Sequence, residues 1–352
     1  MIAAGGTAGH VVPALAVADS LRSQGADVEF IGGERAESEL VPAAGYPFHR
    51  LRVQGIDRKN PLRAARAVLL AARATARARR LLREIGADAV LGGGGYVAGP
   101  VGLAARTLRL PLVLTEADSH LGVSNRMLAP FAERVCLAFP IEGRTGRKWL
   151  VTGRPVPSGT EGGDRVGARK RLGIPPDRPC LLVFGGSLGA RRLNDAAIDA
   201  FGAAAPCAVL HASGRRDFDV LQARLISLGS PSHYRLFPYV EPFADALAAA
   251  DLAAARAGGS VFELAAAGLP SILVPYPHAT GNHQDANARF MEQAGAAVVI
   301  PDAELDGPRL AREVGGLLAA APRMAAMASA ARDVAKPDAA EVVAHEVLRL
   351  VA

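Results

Sequence analysis

Apolar and polar positions alternate between two periods along the chain. Short β-type apolar runs at residues 26–31, 89–91 and 110–115 are separated by alanine-rich stretches at 12–24, 61–85 and 97–108 that read as helices. The alternation resumes at 180–184 and continues through runs at 207–211, 234–237, 252–255 and 271–274, and 319–350 reads as one helical stretch. Strands that alternate with helices predict parallel sheets covered on both faces, an α/β fold. Between the two series, residues 141–179 are rich in Gly, Pro, Arg and Asp, and only 149–152 reads as a strand. They are expected to connect one domain to the next. The expected domains are 1–157 and 158–334, with a C-terminal helix at about 335–352 packing back on the first.

The two series open alike, each with a strand, a glycine turn and a helix. The first turn is Gly5-Gly6-Thr7-Ala8-Gly9-His10 and the second is Gly185-Gly186-Ser187-Leu188-Gly189-Ala190. This is an internal repeat at the level of the fold, much longer than a solenoid period. Only Met1 to Ala4 precede the first glycine pair, against about five or six residues in an ordinary strand. A clipped first strand is expected, and a gene start upstream of Met1 would account for it.

Composition narrows the class. A chain of 352 residues suits two domains, and 50% hydrophobic with 21% charged residues is a globular balance. The most apolar stretches, such as 244–255, are broken by Asp245 and Asp251, short of the roughly 18 apolar residues a membrane span needs. No export signal opens the chain. Cys136, Cys180 and Cys207 are odd in number and lack metal-ligand spacing, which reads as reduced core thiols in a cytoplasmic protein. The net charge of +6 favours an anionic partner. With 5% aromatic residues and no aromatic-plus-basic motif, nucleic acid is not expected. A phosphate-rich substrate or an anionic membrane surface fits better.

The glycine turns carry the first chemistry. Glycines after a strand let the backbone approach a ligand, and the following helix points unpaired N–H groups and its positive dipole end at it. A diphosphate can be held there without a metal, with the Ser187 hydroxyl as a further donor. One such turn could serve only to close a βα connection; two at matched positions favour a ligand. Neither fits the dinucleotide fingerprint, because a G-x-G-x-x-G turn followed by an acid roughly 20 residues on is absent. This counts against a dehydrogenase.

Four ordered motifs give a resemblance that covers nearly the whole chain. They are Gly5-Gly6-Thr7-Ala8-Gly9-His10-Val11-Val12-Pro13, Gly94-Gly95-Tyr96-Val97-Ala98-Gly99-Pro100, Gly185-Gly186-Ser187-Leu188-Gly189-Ala190-Arg191-Arg192-Leu193-Asn194, and Glu263-Leu264-Ala265-Ala266-Ala267-Gly268-Leu269-Pro270 followed by His283-Gln284-Asp285-Ala286-Asn287. The chain resembles the N-acetylglucosaminyltransferases of glycosyltransferase family 28 that convert lipid I to lipid II in peptidoglycan synthesis. The resemblance implies a GT-B fold, two Rossmann-like parallel-sheet domains facing a cleft, and inversion at the sugar's anomeric carbon. It implies UDP-GlcNAc on the C-terminal half and lipid I, the undecaprenyl-diphosphate-linked muramyl peptide, on the N-terminal half. No metal or other cofactor is expected, and the enzyme would sit peripherally on the cytoplasmic face of a bacterial membrane.

Residue by residue, the resemblance implies His10 as the base, a role that suits an imidazole; holding the loop at the helix start is a compatible alternative. Thr7, Ala8 and Gly9 would line the donor side of that turn, and Gly94, Gly95 and Tyr96 the acceptor or diphosphate loop. Gly186, Ser187 and Gly189 would hold the donor diphosphate. Glu263 would accept both ribose hydroxyls, a job for two carboxylate oxygens, unless it only complements a helix dipole. Val240 would read uracil through its backbone, and Gln284, with His283 beside it, would reach the sugar hydroxyls; for His283 an exposed loop position is the alternative.

Some positions depart from the family pattern. Where His-Glu-Gln-Asn is common, this chain has Thr115-Glu116-Ala117-Asp118, and the common Gly-Asn-Pro-Val-Arg appears as Gly153-Arg154-Pro155-Val156-Pro157. Asp118 and Arg154 are therefore expected donor contacts of altered chemistry, with Arg154 restoring a positive charge near the diphosphate. The segment 256–263 is one residue shorter than usual.

Residues 57–83 carry nine Lys/Arg (Arg58, Lys59, Arg63, Arg66, Arg73, Arg77, Arg79, Arg80 and Arg83) against one acid, Asp57, with Leu62, Val68, Leu69 and Leu70 interspersed. Such a surface suits anionic lipid, and equally a solvated helix face over an apolar inner stripe. Three rival functions stand beside the main one. They are a related GT-B transferase with another lipid or small-molecule acceptor, a UDP-GlcNAc epimerase, and a non-catalytic nucleotide-sugar binding protein.

Overall fold

The computed structural model describes residues 1–53, 61–186 and 189–351; the side chains at 61–69 and at Thr280 lie outside the description. It divides into two compact units, Met1–Pro157 with Lys336–Ala352, and Ser158–Ala335.

In the first unit β1 (Ile2–Ala3), α1 (Ala8–Ser23), β2 (Phe30–Gly32), α2 (Glu37–Ala43), β3 (Phe48–Arg50), α3 (Pro61–Ile85), β4 (Val90–Gly92), α4 (Gly95–Leu108), β5 (Leu112–Glu116), α5 (Val123–Leu128), β6 (Arg134–Leu137) and β7 (Trp149–Val151) follow in turn. The sheet is parallel with order β3-β2-β1-β4-β5-β6-β7, so it reverses direction of growth between β1 and β4. Strand side chains alternate between two cores. Ile2, Leu91 and Val113 face one with Val11, Ala14 and Val17 of α1. Ala3, Val90, Leu112 and Leu114 face the other with Ala74, Ala78 and Leu82 of α3. With both faces covered, the central strands β1, β2 and β4 are apolar and buried throughout.

The second unit runs through α6 (Arg165–Leu172), β8 (Cys180–Phe184), α7 (Arg191–Phe201), β9 (Ala208–Ala212), α8 (Phe218–Ser227), β10 (Tyr234–Phe237), α9 (Phe243–Ala249), β11 (Leu252–Ala255), α10 (Val261–Ala266), β12 (Ser271–Leu273), α11 (His283–Gln293), β13 (Ala297–Val299), α12 (Gly307–Leu318) and α13 (Ala321–Val334). Its parallel sheet, β10-β9-β8-β11-β12-β13, repeats the topology of the first, with its reversal between β8 and β11. The α/β class and the two parallel sheets are as the sequence predicts.

Residues 319–350 are not one helix. The chain breaks after α13 and resumes as α14 (Ala339–Leu348). The break carries Pro337, which has no N–H and disfavours helical backbone at the residue before it. Val343, Ala344 and Val347 of α14 join the core beside α1 in the first unit, and Glu346 accepts from Arg134 at 2.6 Å. The helix at 37–43 and the strand at 48–50 were not legible as elements, each being too short to show a period.

Candidate active site

In open parallel sheets, ligands bind outside the carboxyl ends of the strands where the strand order reverses. In the first unit that point lies between the loops after β1 and β4, the two that carry glycine motifs. The loops touch backbone to backbone. A Cβ on Gly95, where φ is +76°, would lie 1.9 Å from the Gly5 carbonyl oxygen, so only glycine fits. His10 stands in the first turn of α1, with Nδ1 3.4 Å from Thr7 Oγ1, and its imidazole lies against Gly94, where an added Cβ would meet Cδ2 at 2.9 Å.

A small cavity here is lined by Gly9 and His10, by Gly93 after β4, by Thr115, Glu116 and Ala117 at the end of β5, and by Thr152, Gly153, Arg154 and Pro155 after β7. Pro13 inside α1 has no N–H to offer the Gly9 carbonyl four residues back. The buried Arg154 supplies the missing donor, through Nη2 to Gly9 O. Arg154 is thus placed beside His10, in the N-terminal unit. Glu116 is buried, accepting from Asp118 N at 3.2 Å, Gly122 N at 2.8 Å and Asn125 Nδ2 at 2.9 Å. Burial pushes its carboxyl up, against the three hydrogen bonds that hold it down. Asp118 follows it, half-buried.

Glu37 is a buried carboxylate beside these loops that sequence reasoning missed. It is fully buried and accepts from Gly6 N, Gly33 N and the Tyr96 hydroxyl. The Gly6 N–H is therefore engaged inside the protein. Burial first, and then the hydrogen bond to Glu37, push the Tyr96 phenol up. No sequence signal singles it out, because helical spacing places both Glu34 and Glu37 on the face of the buried Val41.

In the second unit the loop after β8 carries Gly186 and Gly189 and leads into α7; Ser187 lies outside the described residues. A Cβ on Gly189 would lie 2.3 Å from Ser213 O, so this loop rests on the end of β9. A buried polar chain supports it. Burial pushes His211 down to about 3, so the ring is neutral, with one donor and one acceptor nitrogen. Tyr234 O–H meets Nδ1 at 2.8 Å, and Nε2 meets Asn194 Oδ1 at 3.0 Å. The Asn194 amide donates to Ser213 O and Asp217. Asp217 in turn holds Arg216 and Arg191; the hydrogen bond from Arg216 first, and then the charges and the Arg191 bond, keep its carboxyl low.

Glu263 stands half-buried in the first turn of α10. Val240 is buried between β10 and α9. His283 and Gln284 open α11, both partly exposed. Gln284 Oε1 accepts from Tyr276 N at 2.9 Å, which leaves its amide nitrogen as the donating end. Arg256 is buried and bound to Asp302 and the Val274 carbonyl, a structural use. The named residues thus fall into two sets. Thr7, Ala8, Gly9, His10, Gly94, Gly95, Tyr96, Asp118 and Arg154 belong to one unit; Gly186, Gly189, Val240, Glu263, His283 and Gln284 belong to the other.

On α3 the exposed side chains include Arg73, Arg77, Arg80 and Arg83, while Ala74, Ala78 and Leu82 are buried. Arg58, Lys59, Leu62, Arg63, Arg66, Val68 and Leu69 lie outside the described residues and side chains. Among the described residues no single helix is long and apolar enough to cross a membrane.

Known proteins share this organisation. The N-terminal domain model of glycosyltransferase family 28 matches residues 1–137, and its C-terminal domain model matches residues 180–343. The UDP-N-acetylglucosamine–N-acetylmuramyl-(pentapeptide) pyrophosphoryl-undecaprenol N-acetylglucosamine transferase of Stutzerimonas stutzeri is 41% identical over 348 residues, covering 97% of this chain and 96% of that protein. The transferase of the same name from Moorella thermoacetica is 40% identical over 365 residues, covering 100% and 98%. Among solved structures, MurG of Acinetobacter baumannii matches with a TM-score of 0.76 at 30% identity, over 99% of this chain and 98% of that one. A UDP-GlcNAc 2-epimerase from Neisseria meningitidis matches at 0.67 and 12% identity, over 99% of each chain, which is a likeness of fold alone.

Proposed function

The chain belongs to glycosyltransferase family 28, and on that premise we propose that it transfers N-acetylglucosamine from UDP-GlcNAc to the C4 hydroxyl of the muramyl sugar of lipid I, forming lipid II in peptidoglycan synthesis. It is a UDP-sugar-dependent glycosyltransferase of GT-B fold. The observation that carries the reading is similarity to the named transferases over nearly the whole chain, at 41% identity in one case.

In this reading His10 takes the proton of the acceptor hydroxyl as that oxygen attacks the anomeric carbon. The bond from that carbon to the phosphate oxygen breaks, and UDP leaves from the opposite face, which inverts the centre. Gly94, Gly95 and Tyr96 shape the acceptor or diphosphate loop, and Asp118 and Arg154 are donor contacts, with Arg154 supplying the positive charge expected near the diphosphate. Thr7, Ala8 and Gly9 line the donor side of the His10 turn. On the C-terminal unit, the turn at Gly186, Ser187 and Gly189 holds the diphosphate against the start of α7. Glu263 takes the ribose hydroxyls, the Val240 backbone reads uracil, and Gln284 donates to the sugar with His283 beside it.

The acceptor is a lipid, and the enzyme meets it peripherally at the cytoplasmic face of the membrane. The exposed arginines of α3 support this, as do the exposed Val123, Met127 and Phe131 beside Arg106 and Arg126. Incubation with UDP-GlcNAc and a lipid I analogue tests the function through UDP release. Release that requires the acceptor supports it. Conversion of the sugar without acceptor points to an epimerase, and no release with lipid I points to another acceptor.

A further inference from the structure

Glu37 is 0% exposed. A carboxylate out of water has to be matched by donors, and three converge on it. Gly6 N–H reaches Oε2 at 2.9 Å, Gly33 N–H reaches Oε1 at 2.9 Å, and the Tyr96 hydroxyl reaches Oε1 at 3.0 Å. The donors come from the loops after β1, β2 and β4, three neighbouring strands. The fit is close on every side. A Cβ on Gly33 would lie 2.0 Å from the Tyr96 oxygen, and one on Gly5 would lie 2.9 Å from Glu37 Oε1. The loop after β1 carries His10 four residues beyond Gly6, and the loop after β4 carries Gly94, against which the His10 ring rests.

We infer that Glu37 is a positioning residue for the acceptor half of the reaction, latching the His10 turn and the Gly94–Tyr96 turn to each other. The inference rests on the proposed roles of those two turns. Glu37 does not itself meet substrate, because it is buried and both of its oxygens are engaged. It acts by fixing where the imidazole stands relative to the loop that shapes the acceptor. A loosened latch moves the base away from the hydroxyl, and displacements on the order of 1 Å cost about a hundredfold in rate. The residues proposed for the donor diphosphate, ribose and uracil, Gly186, Gly189, Glu263 and Val240, belong to the other unit and have no part in the latch.

Glu37→Gln keeps the shape of the side chain and replaces one oxygen with an amide NH2 that faces an N–H or O–H donor, so at least one strand of the latch opens. Tyr96→Phe removes a single hydrogen bond. In steady-state assays with UDP-GlcNAc and a lipid I analogue, Glu37→Gln is expected to lower kcat/KM for the acceptor at least about tenfold. KM for UDP-GlcNAc should stay within about twofold, with a smaller loss on the same parameter in Tyr96→Phe. A purely structural role would lower the active fraction and leave both KM values and the per-site kcat alone. Acceptor kcat/KM within twofold of wild type in Glu37→Gln, or an equal rise in KM for UDP-GlcNAc, overturns the inference. If that variant does not fold, an unchanged acceptor kcat/KM in Tyr96→Phe does the same.

Amide exchange keeps the latch separate from the identity of the acceptor. In Glu37→Gln, or in Tyr96→Phe if that is the variant that folds, peptides spanning 1–12 and 90–100 should both exchange faster than in wild type, whatever the acceptor. Wild type that fails to turn over lipid I counts against the proposed function, whereas unchanged exchange in both peptides counts against the latch.

Discussion

If His10 takes the acceptor proton at Nε2, the ring hydrogen sits on Nδ1, which lies 3.4 Å from Thr7 Oγ1. In the proposed role His10→Ala removes the base and leaves the turn, whose shape comes from glycines, in place. It is expected to lower kcat at least about tenfold with an unchanged melting temperature; near wild-type turnover would exclude the base role. His211 makes a different prediction. Its folded pKa, about 3, lies below the unfolded value of 6.5, so the unfolded chain binds the proton first as pH falls. Its contribution is complete above about 6.5 and is lost on the way down to about 3. Between pH 7 and 5 the loss is on the order of 2 kcal/mol. Denaturant titrations at the two pH values should show that difference in wild type and not in His211→Gln; equal pH dependence in both would contradict it. At this scale the sequence displayed the glycines and His10 as motifs. It did not display Glu37, because nothing in a run of surface-type acids says which one is buried. Arg154 stood out only as a departure from a pattern; its contact with Gly9 follows from Pro13, which is distant in sequence.

Among the elements, α3 was the most legible, because its 25 residues carry a strong helical period. With Ala74, Ala78 and Leu82 packed inward, Arg73, Arg77, Arg80 and Arg83 are left on the outer side. Each basic residue near an anionic bilayer contributes about 1 kcal/mol, so changing these four to Gln is expected to weaken binding to anionic vesicles roughly several-hundredfold. Sedimentation with anionic and with neutral vesicles reads this directly, and equal, negligible binding of wild type to both removes the membrane role. Elements were misread where a local cue was overruled by composition. The alanine-rich 319–350 suggested continuity, yet Pro337 marks the break that lets α14 return to the first unit. The strand expected at 26–31 is confined to Phe30–Gly32, since only there does a neighbour pair with it.

For the molecule as a whole, each unit has the same strand order, with a glycine loop at each reversal point. That arrangement alone supports a nucleotide-binding fold, which epimerases share. The chemistry is narrowed by what is attached to the loops: a histidine at the first turn, a carboxylate at the start of α10, and a basic face on the N-terminal unit. The internal repeat was legible because the two turns share the pattern Gly-Gly-Thr/Ser-x-Gly. The packing that holds them differs, a buried carboxylate in one unit and a neutral histidine–asparagine chain in the other, and neither could be read from a motif. The central claim is transfer of GlcNAc to lipid I by single displacement. It is tested most directly by the product formed from UDP-GlcNAc and a lipid I analogue, characterised by mass and by the NMR coupling of the new anomeric proton. One added N-acetylhexosamine in β linkage to the muramyl C4 oxygen is expected; an α linkage, or an acceptor recovered unchanged while the sugar nucleotide is converted, would rule out this reaction.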